Sequence, residues 1–111
     1  MHDVAPPEVV RRYQDAHDRH DVEVALAAFA PDACVSDDGR EFNGAAEIRI
    51  WLATVAREFE FSRTFVSAEA TDDDTWFVVN HLEGNFPGGV VDLRYRFVLN
   101  GDLISELVIA P

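Results

Sequence analysis

Apolar positions follow helical spacing in the first half of the chain and strand spacing in the second. Val9, Val10, Tyr13, Ala16 and His17 recur on one helical face, which predicts a first helix from Pro7 to Arg19. Pro6-Pro7 suits its start, and Glu8 complements the positive end of the helix in the first turn. Asp21 is placed to cap a second helix with Val22, Ala25, Leu26 and Phe29 on its buried side, ended by Pro31-Asp32. A short strand is expected over Ala33–Ser36, then a turn at Asp37-Asp38-Gly39 and a return over Arg40–Phe42. A third helix is predicted over Ala45–Phe59, with Ile48, Trp51, Leu52, Val55 and Phe59 as its apolar face.

From Phe61 onward the period changes to two. Strands are predicted over Phe61–Ala70, Trp76–Phe86, Val90–Leu99 and Leu103–Ala110. They are separated by Asp72-Asp73-Asp74, Pro87-Gly88-Gly89 and Asn100-Gly101. Alternation puts Trp76, Val78, Asn80 and Leu82 on one face, opposite Phe77, Val79, His81 and Glu83. Val91, Leu93, Tyr95, Phe97 and Leu99 likewise share a face opposite Asp92, Arg94 and Arg96. Helices followed by a meandering antiparallel sheet make an α+β layout. A sheet curved over a long helix would line its concave side with the Trp76 and Leu93 sets. Phe77 and Val79 would then face outward, where a homodimer would cover them.

Composition narrows the function. The chain has 111 residues, 48% of them apolar, which is the size of one domain with a modest core. Net charge is −12 and every one of the nine basic residues is arginine. The absence of lysine excludes Schiff-base chemistry on a lysine amine. The acidity argues against nucleic acid and anionic membranes as partners. Cys34 is the only cysteine, so no intrachain disulfide forms, which fits a cytoplasmic setting. The N-terminal residues show no signal-peptide pattern, and no apolar run is long enough to span a bilayer.

Three segments carry a resemblance: Phe29-Ala30-Pro31-Asp32-Ala33, Gly44-Ala45-Ala46-Glu47-Ile48-Arg49 and Asn100-Gly101-Asp102-Leu103-Ile104. In this order and spacing the chain resembles the nuclear transport factor 2-like superfamily, in particular SnoaL-like proteins and ketosteroid isomerases. The resemblance covers nearly the whole chain, 1–111. It implies a cone-shaped α+β (cystatin-like) fold, three helices on a curved antiparallel sheet, a deep pocket and commonly a dimer. Compared with the isomerases, Val9-Val10-Arg11-Arg12-Tyr13 matches the segment of the oxyanion-donating tyrosine, so Tyr13 corresponds. Asp37, after Ala33-Cys34-Val35-Ser36, falls at the general base. The second oxyanion donor, an aspartate on the strand matched by Tyr95-Arg96-Phe97, is replaced by Leu93. Asp92 beside it points to the other face. The tyrosine that supports the donor is replaced by Leu52.

Each candidate residue has two readings. Asp37 is either a base that takes a proton from the carbon beside a carbonyl, or a turn residue capping Asp38-Gly39. Tyr13 is either the enolate donor or an amphipathic core residue. Asn80 either supplies the second donor or bonds a neighbour on its strand. Trp51, Trp76, Val78, Leu93, Tyr95 and Phe97 line a substrate pocket or pack a core. His17 and His20 lack an evident third ligand, so no metal site is expected. They read better as imidazolium groups at a helix C-terminus. Cys34 reads as a small buried hydrophobe. The expected function is cofactor-free proton transfer, by isomerisation or aldol-type cyclisation, on a hydrophobic carbonyl compound. The alternatives are a non-catalytic small-molecule binding protein, and an interaction domain working through Phe77, Val79 and His81.

Overall fold

A computed structural model describes residues 5–54 and 59–111. Its elements run α1 (Glu8–Asp18), α2 (Val22–Ala27), β1 (Phe29–Asp37), β2 (Arg40–Asn43), α3 (Gly44–Ala53), β3 (Phe61–Ala70), β4 (Thr75–Gly84), β5 (Val90–Asn100) and β6 (Leu103–Ala110). The strands form one curved sheet in the order β2-β1-β6-β5-β4-β3. The helices pack on its concave side, and the α+β class expected from the pattern holds.

Several expectations need correction. Phe29 does not end a helix. The second helix is capped after six residues, and Phe29 opens β1, where its ring meets Tyr13 edge-on at 5.2 Å between centroids. Pro31, read as a helix stop, instead lies where the register of β1 against β6 shifts, a place that tolerates a residue with no N–H. The sheet is not wholly antiparallel. β3 to β6 form an antiparallel meander, but β1 runs parallel to β6, with Val35 beside Leu107 and Asp37 beside Ile109. The third helix ends at Ala53, and β4 ends at Gly84 rather than Phe86. Val55 lies outside the described residues, and Phe59 is not part of the helix.

The turn that returns β1 into β2 sets the position of Asp37. Asp38 and Gly39 have φ of 51° and 80°, the paired positive values of a two-residue hairpin turn whose twist matches the strands. Asp37 and Arg40 pair across it. Asp37 thereby stays in the ladder, with the concave-facing parity of Val35.

The alternation read on β4 and β5 matches the burial. Val78, Asn80 and Leu82 are buried on the concave side, as are Tyr95 and Phe97, while Phe77 is exposed and Val79 and His81 are half-buried. The core joins these strands to Val9, Val10, Tyr13 and Ala16 of α1 and to Ile48, Trp51 and Leu52 of α3. Gly84 allows the far edge of the sheet to close. A Cβ there would lie 2.2 Å from the Glu60 carbonyl oxygen and 2.6 Å from the Phe61 Cβ.

Candidate functional site

The helices and the concave face enclose a cavity of about 450 Å³. This lies within the range of small-molecule sites. Asp37 enters from the end of β1, Tyr13, Gln14 and His17 from α1, Trp51 from α3, Arg63 from β3, and Leu93 and Tyr95 from β5. Asp38 and Arg40 stand at its rim, and Phe59, Phe61 and Phe86 add apolar wall.

The structure brings five of the nine predicted site residues onto this cavity: Asp37, Tyr13, Trp51, Leu93 and Tyr95. The other four lie elsewhere. Val78 and Phe97 are wholly buried in the core, and Trp76 packs against it. Phe97 is screened from the cavity by rings. Tyr13 meets it edge-on at 5.9 Å and Tyr95 stacks on it at 6.1 Å. Asn80 is buried beneath the cavity wall and turned to Arg63, whose Nη1 donates to its Oδ1 at 3.1 Å.

Asp37 is held by α3, which packs on β1. The Trp51 indole Nε1–H donates to its Oδ2 at 3.0 Å, fixing the carboxylate on the α3 side. Trp51 is almost fully buried and does not offer an open stacking face. Tyr13 and Tyr95 are buried hydroxyls. Burial drives the Tyr13 pKa well above its ordinary range, helped by Tyr95 and Asp37. Burial likewise raises Tyr95 to about 12 against the opposing pull of Arg63. Both phenols therefore remain protonated and can donate hydrogen bonds at neutral pH. Leu93 carries no donor.

Three cavity residues were not anticipated. His17, read as an imidazolium at a helix end, is instead a neutral ring on the wall. Burial lowers its pKa from 6.5 to about 4. It stacks on Phe61 at 6.2 Å and leans on Trp51 at 6.2 Å. The clue was its spacing, four residues after Tyr13 on the same helical face. Arg63 is brought inside, with its side chain only 13% exposed. Its Nε donates to both Asp18 oxygens at 3.1 Å and its Nη2 to Oδ2 at 2.8 Å, while Nη1 reaches Asn80 and, at 3.5 Å, Gln14 Oε1. It lies two residues after Phe61 on β3, but nothing in the sequence named its partners.

Gln14 is 4% exposed. Arginine has no acceptor, so the amide oxygens of Gln14 and Asn80 face the guanidinium and their NH2 groups face away. Both nitrogens are buried with no hydrogen-bond partner among the described residues. Each such orphan donor costs about 1–3 kcal/mol.

Outside the cavity, His81 sits on the convex face between Asp92 at 2.6 Å and Glu83 at 2.9 Å. Those hydrogen bonds raise its pKa. Cys34 is half-buried on β1. Burial and the nearby Glu41, Glu106 and Glu47 raise its thiol pKa, so it is a poor nucleophile. Among the described residues, no group of three or more His, Cys, Asp or Glu is arranged to hold a metal ion. No described helix is long and apolar enough to cross a membrane.

An α+β cone with helices over a curved sheet and a pocket at its centre is the architecture of the nuclear transport factor 2-like proteins. Within that class the chain belongs to the SnoaL-like domain family, whose model matches residues 10–104. Among solved structures, a "putative polyketide cyclase" from Sinorhizobium meliloti is 30% identical. That match covers 95% of both chains with a TM-score of 0.88. A ketosteroid isomerase-like fold protein from Catenulispora acidiphila, in complex with trimethylamine, is 19% identical. It covers 96% of this chain and 87% of that one, with a TM-score of 0.83. RV0760c from Mycobacterium tuberculosis, in complex with estradiol-17beta-hemisuccinate, is 18% identical over 94% of this chain and 91% of that one, with a TM-score of 0.78. The last two likenesses show the fold alone. No curated protein matches the chain.

Proposed function

We propose that this protein catalyses cofactor-free proton transfer on a hydrophobic carbonyl compound, as an isomerase or an aldol-type cyclase. The observation that carries the reading is the pairing of Asp37 and Tyr13 on one largely apolar cavity. In this reading Asp37 takes the proton from the carbon beside the carbonyl, and the protonated Tyr13 donates to the oxygen that becomes an enolate. Tyr95, also protonated and on the same wall, is placed to stand in for the donor that Leu93 lacks. The 30% identity to a "putative polyketide cyclase" supports the cyclase branch.

The bond from Trp51 to Asp37 favours a second reading, a small-molecule binding protein that does no chemistry. A carboxylate already engaged by an indole serves a ligand's hydroxyl as readily as a carbon acid. The two readings separate in one assay. Isomerisation of a β,γ- to an α,β-unsaturated ketone is followed by ultraviolet absorbance for wild type, Asp37→Asn and Tyr13→Phe. The catalytic reading expects Asp37→Asn to lose roughly 100- to 10,000-fold in rate. Tyr13→Phe should lose about 100- to 1,000-fold, the usual effect of deleting one oxyanion donor. Turnover indifferent to both changes, or none above buffer alongside measurable ligand binding, would favour the binding protein.

A further inference from the structure

Gln14 and Arg63 form a polar site that the proposed chemistry does not use. It lies across the sheet from Asp37. Asp37 is on β1 and Arg63 on β3, with β6, β5 and β4 between them. Gln14 borders both the cavity and a shallower groove between α1 and β3, lined by Ala5, Pro6, Arg11 and Phe65.

The charge of this site is decided by its neighbours. Arg63 is chelated by Asp18, and Asp15 lies 3.7 Å from its Nη2. One guanidinium facing two carboxylates leaves no surplus positive charge, and the chain as a whole carries −12. An anionic ligand group would meet repulsion there. What remains unpartnered is the Gln14 NH2, which is buried, with its oxygen held at the guanidinium and no acceptor among the described residues.

We infer that Gln14 is a specificity-determining residue that binds an uncharged oxygen acceptor of the ligand, a ketone or ester carbonyl rather than a carboxylate. Arg63 is its positioning residue, turning the amide so that the donor faces the ligand. The inference deepens the pocket reading but does not depend on turnover.

The test is a calorimetric titration with three flat probes of one shape. They are 2-acetylnaphthalene, 2-ethylnaphthalene, which lacks the oxygen, and 2-naphthoate, which carries a charge. Each is titrated into wild type, Gln14→Met and Tyr13→Phe, with circular dichroism to verify folding. The wild type is expected to bind the ketone about tenfold more tightly than the ethyl compound, and the carboxylate most weakly. Gln14→Met should abolish the ketone's advantage, and Tyr13→Phe shows whether the probe's carbonyl sits at the proposed oxyanion donor instead. Equal affinity for ketone and ethyl probes, or no detectable binding of either, would overturn the inference. So would a ketone advantage that survives Gln14→Met, tightest binding of the carboxylate, or an advantage lost only in Tyr13→Phe. Binding is read without chemistry, so an inactive Asp37→Asn protein leaves the result standing. Gln14→Leu repeats the test if the methionine variant misfolds.

Discussion

His17 couples the cavity to pH. Its folded pKa of about 4 lies below the ordinary 6.5 because burial penalises the charged ring, with smaller help from His20 and Arg63. The unfolded chain therefore binds more protons than the native one between these values. Stability rises with pH across that window and is lost as pH falls from 6.5 toward 4. The loss amounts to about 2–3 kcal/mol at its acidic end. Urea unfolding at a series of pH values should show this slope, and His17→Phe should flatten it. At this scale the sequence revealed only part of the site. Asp37 and Tyr13 were named through separate segments by resemblance to the isomerases, and both line the cavity. Gln14 and Arg63 were missed because each acquires its meaning from a partner distant in sequence, and His17 because its place near a helix end outweighed its place on the Tyr13 face. Arg63 meets Asp18 across 45 positions, and neither residue type signals such a pair.

At the scale of elements, strands were far more legible than helix ends. β3 and β6 have the bounds predicted for them, from β-rich runs set off by the turns at Asp72-Asp73-Asp74 and Asn100-Gly101. The end of α2 was misread because Phe29 fits a helical face and a buried strand equally well, and only the pairing of β1 with β6 decides between them. The β3–β4 edge rests on one position, Gly84, beside Phe61 in the ladder. Gly84→Ala drives a methyl group into the Glu60 carbonyl and the Phe61 Cα and Cβ, so something must shift. We expect it to destabilise the fold by about 1–3 kcal/mol, the usual cost of overpacking. Thermal melts should record a lower midpoint. Since Phe61 lines the cavity, ligand binding should weaken with it.

For the whole molecule, the convex face sets a separate expectation. Phe77 is 37% exposed there, beside half-buried Val79 and Val98 and the charged Arg94 and Asp92. An apolar centre rimmed by charge suits a self-complementary contact about a two-fold axis. We expect light scattering to give twice the chain mass of 12.4 kDa, and Phe77→Asp to return the monomer value. Fold class and face assignment were legible because they follow from periodicity. The parallel contact of β1 with β6 was not, because no local pattern encodes which strand closes a sheet. That contact has a consequence for biosynthesis. Asp37 takes its place beside Ile109, and Ile109 in turn lies beside Tyr95, so the row that forms the cavity wall joins the first strand to the last two. A nascent chain that has emerged only as far as β5 holds Asp37 and both phenols without the strand that sets them in register. The pocket therefore forms only once β6 has emerged, and its assembly waits on a non-local closure step.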